Sequence, residues 1–213
     1  MRRSYSSVNC YYQCPLKYKF RYLDKVPVQR TTTPAMERGT EIHSCFEAAL
    51  GDPTAELPAP FDYYTTFINT LREHGAKPEQ TIVLMHDWSP APPWEEGWVK
   101  SILDAGLVNG AVAHNYDWKT GKIYDEHQEQ RELYSIMQFC AYPEVEVVIG
   151  THVYVDKKEN RSTEFKREQL PALKAKWEEK VRPLYEDDVF PANPSYSCRY
   201  CDFSKWNGGG CKF

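Results

Sequence analysis

The chain has 213 residues, which gives room for one domain with a proper core or for a core with a small appendage. Aromatic residues make up 14% of it, which excludes a disordered composition, and no apolar run approaches the roughly 18 residues of a membrane span. A net charge of −4 argues against a general nucleic-acid coat protein but leaves open an enzyme whose carboxylates bind cations. The charge is unevenly spread. Among the first thirty residues Arg2, Arg3, Lys17, Lys19, Arg21, Lys25 and Arg30 are set against Asp24 alone, which suits a local basic surface. The start, Met1-Arg2-Arg3-Ser4-Tyr5, leads into polar and aromatic residues rather than an apolar signal segment, so a cytoplasmic protein with no membrane partner is expected.

In chain order, residues 3–30 predict a helix followed by an extended piece. A helix over about 35–50 carries Ile42, Phe46, Ala49 and Leu50 on one face. Pro53, Pro58 and Pro60 mark a loop, and 63–74 predict another helix. Strands are expected at 79–86, 98–108 and 111–118, the last two joined at Asn109-Gly110. A helix over 126–140 follows, then a strand within 144–156, broken at Gly150, then a helix beginning near Pro171. The tail, 190–213, is rich in Pro, Gly and Cys and predicts irregular structure. Helices, a mostly antiparallel strand set, and further helix, strand and helix together give an α/β arrangement with one central sheet.

With Asn109-Gly110 as a two-residue turn, Val108 pairs with Ala111 and Asp104 comes to face Asn115. Side chains alternate along a strand, so Asp104, Asn115, Asp117 and Lys119 share one face, with Asp117 diagonal to Asp104. Two carboxylates so placed can share a hard cation such as Mg²⁺, with the Lys119 ammonium beside it, the Trp118 carbonyl as a further ligand, and Asn115 near the ion's water shell. The bland alternative is an ordinary cross-strand charge pair. Val112, His114, Tyr116 and Trp118 fall on the opposite, packing face.

Seven cysteines are present, an odd number that disfavours a disulfide framework. Cys198 and Cys201 form a Cys-x2-Cys pair and Cys211 follows a run of three glycines, which points to a thiolate metal site. Cys45 and Cys140 lie in helical segments and are expected to be core residues.

The run Asp117-Trp118-Lys119-Thr120-Gly121 resembles the Asp-Tyr-Lys-Thr-Gly signature of RecB-like nucleases of the PD-(D/E)XK superfamily. Ile102-Leu103-Asp104 resembles the family's first acidic motif, and the segment from Gly39 through His43 to Glu47 resembles its histidine-bearing helix. Gln130 and Tyr134 are similar to its Gln-x3-Tyr motif. The resemblance implies a restriction-endonuclease-like α/β core, a central mixed sheet flanked by helices. It makes His43, Asp104 and Asp117 metal ligands for Mg²⁺ or Mn²⁺, Lys119 the catalytic lysine, and Gln130 and Tyr134 auxiliary active-site residues.

Cys14-Pro15 with the basic and aromatic residues after it resembles the start of the iron–sulfur members of this branch, the AddB subunit and the CRISPR-associated RecB-like exonucleases. That makes Cys14, with Cys10 as its rival, the fourth ligand beside Cys198, Cys201 and Cys211 of a 4Fe-4S cluster, Zn²⁺ being the alternative. The expectation is a single nuclease domain, 1–213, with its core at 35–182 and a Cys-cluster region at 1–30 plus 183–213 that joins the two ends of the chain. The implied activity is a metal-dependent deoxyribonuclease, an exonuclease on DNA ends or single strands. Recombination, repair or CRISPR adaptation, with the proteins of those processes as partners, is the implied setting, and a phage origin fits. The other reading is an inactive nuclease fold whose cysteine clamp holds DNA or a protein partner.

Overall fold

In the computed structural model, residues 3–28, 32–95, 97–124 and 127–213 are described. The helices and strands in order are α1 (Tyr5–Gln13), α2 (Pro15–Tyr18), α3 (Pro34–Gly51), α4 (Thr65–Glu73), β1 (Lys77–Leu84), β2 (Pro90–Ala91), β3 (Val99–Asn109), β4 (Val112–Lys119), α5 (His127–Ala141), β5 (Val147–Tyr154), β6 (Glu159–Lys166), α6 (Leu170–Val181) and α7 (Pro183–Glu186). Among the described residues, no helix is long and apolar enough to cross a membrane. The chain divides into two compact units, one containing Thr33–Lys174 and the other Arg3–Thr32 with Ala175–Phe213.

The first unit is built on one six-stranded mixed sheet of order β2-β1-β3-β4-β5-β6. Every neighbouring pair is antiparallel except β4 with β5, and those two are connected through α5, since parallel neighbours require a crossover. The sheet is therefore mixed and mostly antiparallel, as expected. Helix α3 starts where the Thr33 hydroxyl accepts from the Met36 amide and Pro34 occupies the first turn. It buries the predicted stripe Ile42, Phe46, Ala49 and Leu50 against Phe61, Ile68, Leu71, Ala105 and Trp118. A smaller cluster, Ala113, Phe139, Val145, Val148 and Phe165, packs on the α5 side.

Four local expectations are corrected. Asn109 pairs with Val112, so Gly110 and Ala111 form the turn, and Gly110 takes the positive φ of 57°. Glycine suits the first position of a II′ turn, and the shift of register is by two residues, which keeps every side chain on its expected face. Asp104 thereby comes opposite Asp117 rather than Asn115. Strand β5 runs unbroken through Gly150, where an added Cβ would stand 3.2 Å from Asn115 Oδ1 and 3.3 Å from the Arg131 Cβ; the glycine admits α5 close to the sheet. Strand β6 was not expected, because Glu159–Lys166 is a largely exposed, charged edge strand with no apolar alternation. The helix expected in 3–30 breaks at Cys14, whose extended backbone (φ −164°) precedes Pro15.

The second unit is made from both ends of the described chain. Tyr11 meets Tyr18 edge-on at 5.6 Å, Tyr18 stacks on Phe190 at 6.2 Å, and the Tyr11 hydroxyl donates to Asp187 at 2.8 Å. The Leu16 amide donates to the Pro191 carbonyl. Cys45 and Cys140, expected as core, are only partly buried, and Cys45 packs against the α3 cluster.

Candidate metal centre and cysteine cavity

Strand β1 pairs with β3 in a register that sets Glu79 beside Asp104. Glu79 has a positive φ of 46°, a conformation costly for a residue with a Cβ and typical of over-determined functional sites. From α3, His43 Nδ1 reaches Asp104 Oδ1 at 3.3 Å. Ligand atoms of His43, Glu79 and Asp104 all lie within 4.8 Å of one another. The other Asp104 oxygen accepts the Trp118 amide at 2.7 Å, so Trp118 meets the site through its backbone while its indole packs against Phe46.

Asp117, from β4, is buried on the same face as Asp104. Its Oδ2 forms an ion pair with Lys119 Nζ at 2.6 Å but has no aligned hydrogen bond. Gln130 organises the remainder. Its Nε2 donates to Asp117 Oδ1 and to the Tyr134 hydroxyl, each at 2.8 Å, and its Oε1 accepts from Lys119 Nζ at 2.7 Å. The four-residue spacing puts Gln130 and Tyr134 on one face of α5, and both are buried there. His43, Asp104, Asp117, Lys119, Gln130 and Tyr134 are thus brought together. Asn115, expected near a metal's water shell, instead spends its amide on Gln138 Oε1 at 2.8 Å.

The electrostatics suit a cation. Burial, followed by the charge of Asp117, pushes the Asp104 carboxyl up. Burial would raise Asp117 too, but the Lys119 ammonium, joined by His152 and His43, holds that carboxyl down. Burial, then Asp104, raises Glu79, and the bond to Asp104 raises His43 against the opposing effect of burial. Tyr134 is pushed well up by burial and by the Asp117 charge. Two buried carboxylates, Asp104 and Asp117, a third from Glu79 and the His43 imidazole form a donor set that fits a hard divalent ion.

Sequence reasoning missed three residues here. Glu79 opened a predicted strand, but no tight turn fixed that strand's register against Asp104. His152, the β5 partner of Asp117 in the parallel ladder, and Arg131 on α5 were also passed over. Arg131 bonds His152 Nδ1 at 2.9 Å. A guanidinium only donates, so Nδ1 accepts and the ring proton sits on Nε2, which is buried and makes no hydrogen bond among the described residues. Burial takes the His152 pKa down to about 3, so the ring is neutral.

In the second unit, Cys14, Cys198, Cys201 and Cys211 line one cavity of about 280 Å³, and Cys10 does not line it. The Asn193 amide donates to Cys14 Sγ and the Ser195 amide to Cys198 Sγ, both at 3.4 Å. Cys211 is brought in by a tight loop in which its amide donates to the Phe203 carbonyl at 2.9 Å and the Gly209 amide to the Ser204 carbonyl at 2.8 Å. Gly208 has φ 76°, and a Cβ on Gly209 would stand 2.2 Å from the Phe203 carbonyl atoms, so the glycines are required by geometry.

Comparison with known proteins agrees with this geometry. Residues 2–107 match the family model of the PD-(D/E)XK nuclease superfamily. No curated protein sequence matches the chain. Among solved structures, a "Putative exonuclease" from Eubacterium rectale superposes with a TM-score of 0.56 at 14% identity, covering 97% of this chain and 88% of its own. The structure of SSO0001 covers 92% of this chain and 82% of its own at 15% identity, with a TM-score of 0.47. The mixed six-stranded sheet flanked by helices is of the restriction-endonuclease-like type, consistent with the superfamily match over residues 2–107.

Proposed function

We propose that the protein is a metal-dependent deoxyribonuclease, an exonuclease acting on DNA ends or single strands. The observation that carries this reading is Gln130, whose single side chain ties the Asp117 carboxylate, the Lys119 ammonium and the Tyr134 hydroxyl together beside His43, Glu79 and Asp104. His43, Glu79, Asp104, Asp117 and the Trp118 carbonyl would hold Mg²⁺ or Mn²⁺, which when bound lowers the pKa of water and offsets charge on a phosphate. Lys119 is kept in place by Asp117 and Gln130 and is positioned to stabilise charge developing on the scissile phosphate. The exonuclease name of the Eubacterium rectale neighbour agrees with action at DNA ends.

Cys14, Cys198, Cys201 and Cys211 would hold a 4Fe-4S cluster. Zn²⁺ is the alternative occupant of the same four thiolates. The two amide-to-sulfur contacts are of the kind that tune a thiolate-bound cluster. Roles in recombination, repair or CRISPR adaptation are what the resemblance implies.

The test is cleavage of end-labelled single- and double-stranded DNA with Mn²⁺. Lys119→Ala and Asp117→Asn are expected to lose about a hundredfold or more in rate while remaining folded. Wild-type rates in either folded variant would overturn the assignment, and a chain that binds Mn²⁺ and DNA but never cleaves would be an inactive binding protein.

A further inference from the structure

The charge of the chain is partitioned between its two units. Arg3–Thr32 with Ala175–Phe213 holds 12 Lys and Arg against 7 Asp and Glu, a net +5, which leaves −9 for the rest of the chain. Within this basic unit, three large aromatics stand in the open over eleven residues: Tyr196, Tyr200 and Trp206 are 68%, 70% and 68% exposed. Single exposed aromatics are ordinary, but two of these are ring neighbours and the third sits on a turn tied to theirs. Asn207 Nδ2 bonds the carbonyls of Arg199 and Cys201, each at 3.0 Å, which fixes the turn bearing Trp206 against the turn bearing Tyr200. The Tyr196 and Tyr200 rings lie 5.9 Å apart. Each side of the patch carries a cation on a ring face, Arg199 over Tyr196 at 5.1 Å and Lys205 over Trp206 at 5.2 Å. The acid of the segment, Asp202, is paired with Arg21 at 2.7 Å, so it does not cancel them.

Exposed rings on a rigid frame, with positive charge beside each, match what unpaired nucleotides need: faces on which bases stack and cations for the phosphates between them. Aromatics with Arg also suit protein interfaces, but Lys is depleted there, and Lys205 with the unit's net +5 favours a polyanion. We infer that Tyr196, Tyr200 and Trp206, with Arg199 and Lys205, form a stacking platform for single-stranded DNA on the outer face of the cysteine region. The inference rests on the DNA-directed reading above and extends it to a second contact point, separate from the carboxylates.

The experiment is anisotropy of a labelled dT20 strand with the full-length, cluster-loaded protein, without divalent cation so that no cleavage occurs. Tyr200→Ala and Trp206→Ala are each expected to weaken binding about tenfold, Tyr200→Phe and Trp206→Phe to retain it, and Arg199→Gln with Lys205→Gln to flatten the salt dependence. Visible absorbance of each variant reports whether the cysteine region is intact. Unchanged dT20 affinity in the intact alanine variants would overturn the platform, as would an equal loss for blunt duplex, whose bases cannot stack on it. Failure here is distinct from failure of the nuclease reading: a chain that cleaves DNA equally well with or without the rings has the activity but not the platform. One that binds dT20 through them and never cleaves has the platform alone.

Discussion

At the residue scale the site is a balance of like charges that a cation would relieve. Asp104 and Asp117 oppose each other on adjacent strands, and only Asp117 has a lysine to itself. The burden falls on Asp104, whose carboxyl is raised by burial and by its neighbour's charge. For an acid with a raised folded-state pKa, stability is full while the group is protonated and is lost as pH rises through that pKa. Metal-free protein is therefore expected to lose stability as pH rises from the ordinary carboxylate range through the raised Asp104 value. Asp104→Asn should remove that slope and raise the melting temperature of the metal-free protein at neutral pH, since the amide oxygen can still accept from Trp118. The same variant should abolish the stabilisation that Mn²⁺ gives the wild type. Thermal melts across pH, with and without Mn²⁺, check both halves, and a metal-free Asn variant less stable than wild type would contradict the repulsion argument.

At the element scale, much of the site was legible because the elements that carry it have strong local signals. The α3 stripe, the hairpin glycine and the four-residue step from Gln130 to Tyr134 are properties of one segment each. The register of β3 on β4 differs from the expected one by two residues, yet alternation keeps Asp104 and Asp117 on one face, so the two carboxylates stay together. Glu79 was invisible as a ligand because the β1–β3 connection is long and its register depends on packing. The C-terminal loop shows the reverse case, in which glycines that read as flexible are set by close contact. Gly209→Ala is expected to displace Cys211, because the new Cβ meets backbone rather than a movable side chain. Visible absorbance and bound iron should fall, while Mn²⁺-dependent stabilisation of the Thr33–Lys174 unit persists. Full iron content in that variant would show that the loop tolerates the methyl group.

At the scale of the whole molecule, a unit made from Arg3–Thr32 and Ala175–Phe213 has few elements of its own, and a cluster that joins Cys14 to Cys198, Cys201 and Cys211 would close a very long loop. Removing it, chemically or by Cys198→Ser with Cys201→Ser, is expected to speed amide hydrogen exchange across 3–28 and 175–213 and to leave the sheet of 77–166 protected. Exchange that rises uniformly through both regions would show instead that the thiols stabilise the chain globally.

The sequence by itself determined the α/β class, the helices that frame the sheet, the carboxylate-bearing hairpin and the cysteine set, because each depends on local periodicity, turn chemistry or spacing. Only the tertiary structure decided that Glu79 and His152 join the site, that Cys14 rather than Cys10 faces the cavity, that Gly150 admits α5 instead of breaking a strand, and that basic charge gathers beside exposed rings. Those facts depend on contacts between residues far apart in the chain, set by sheet register and helix packing, which no single segment encodes.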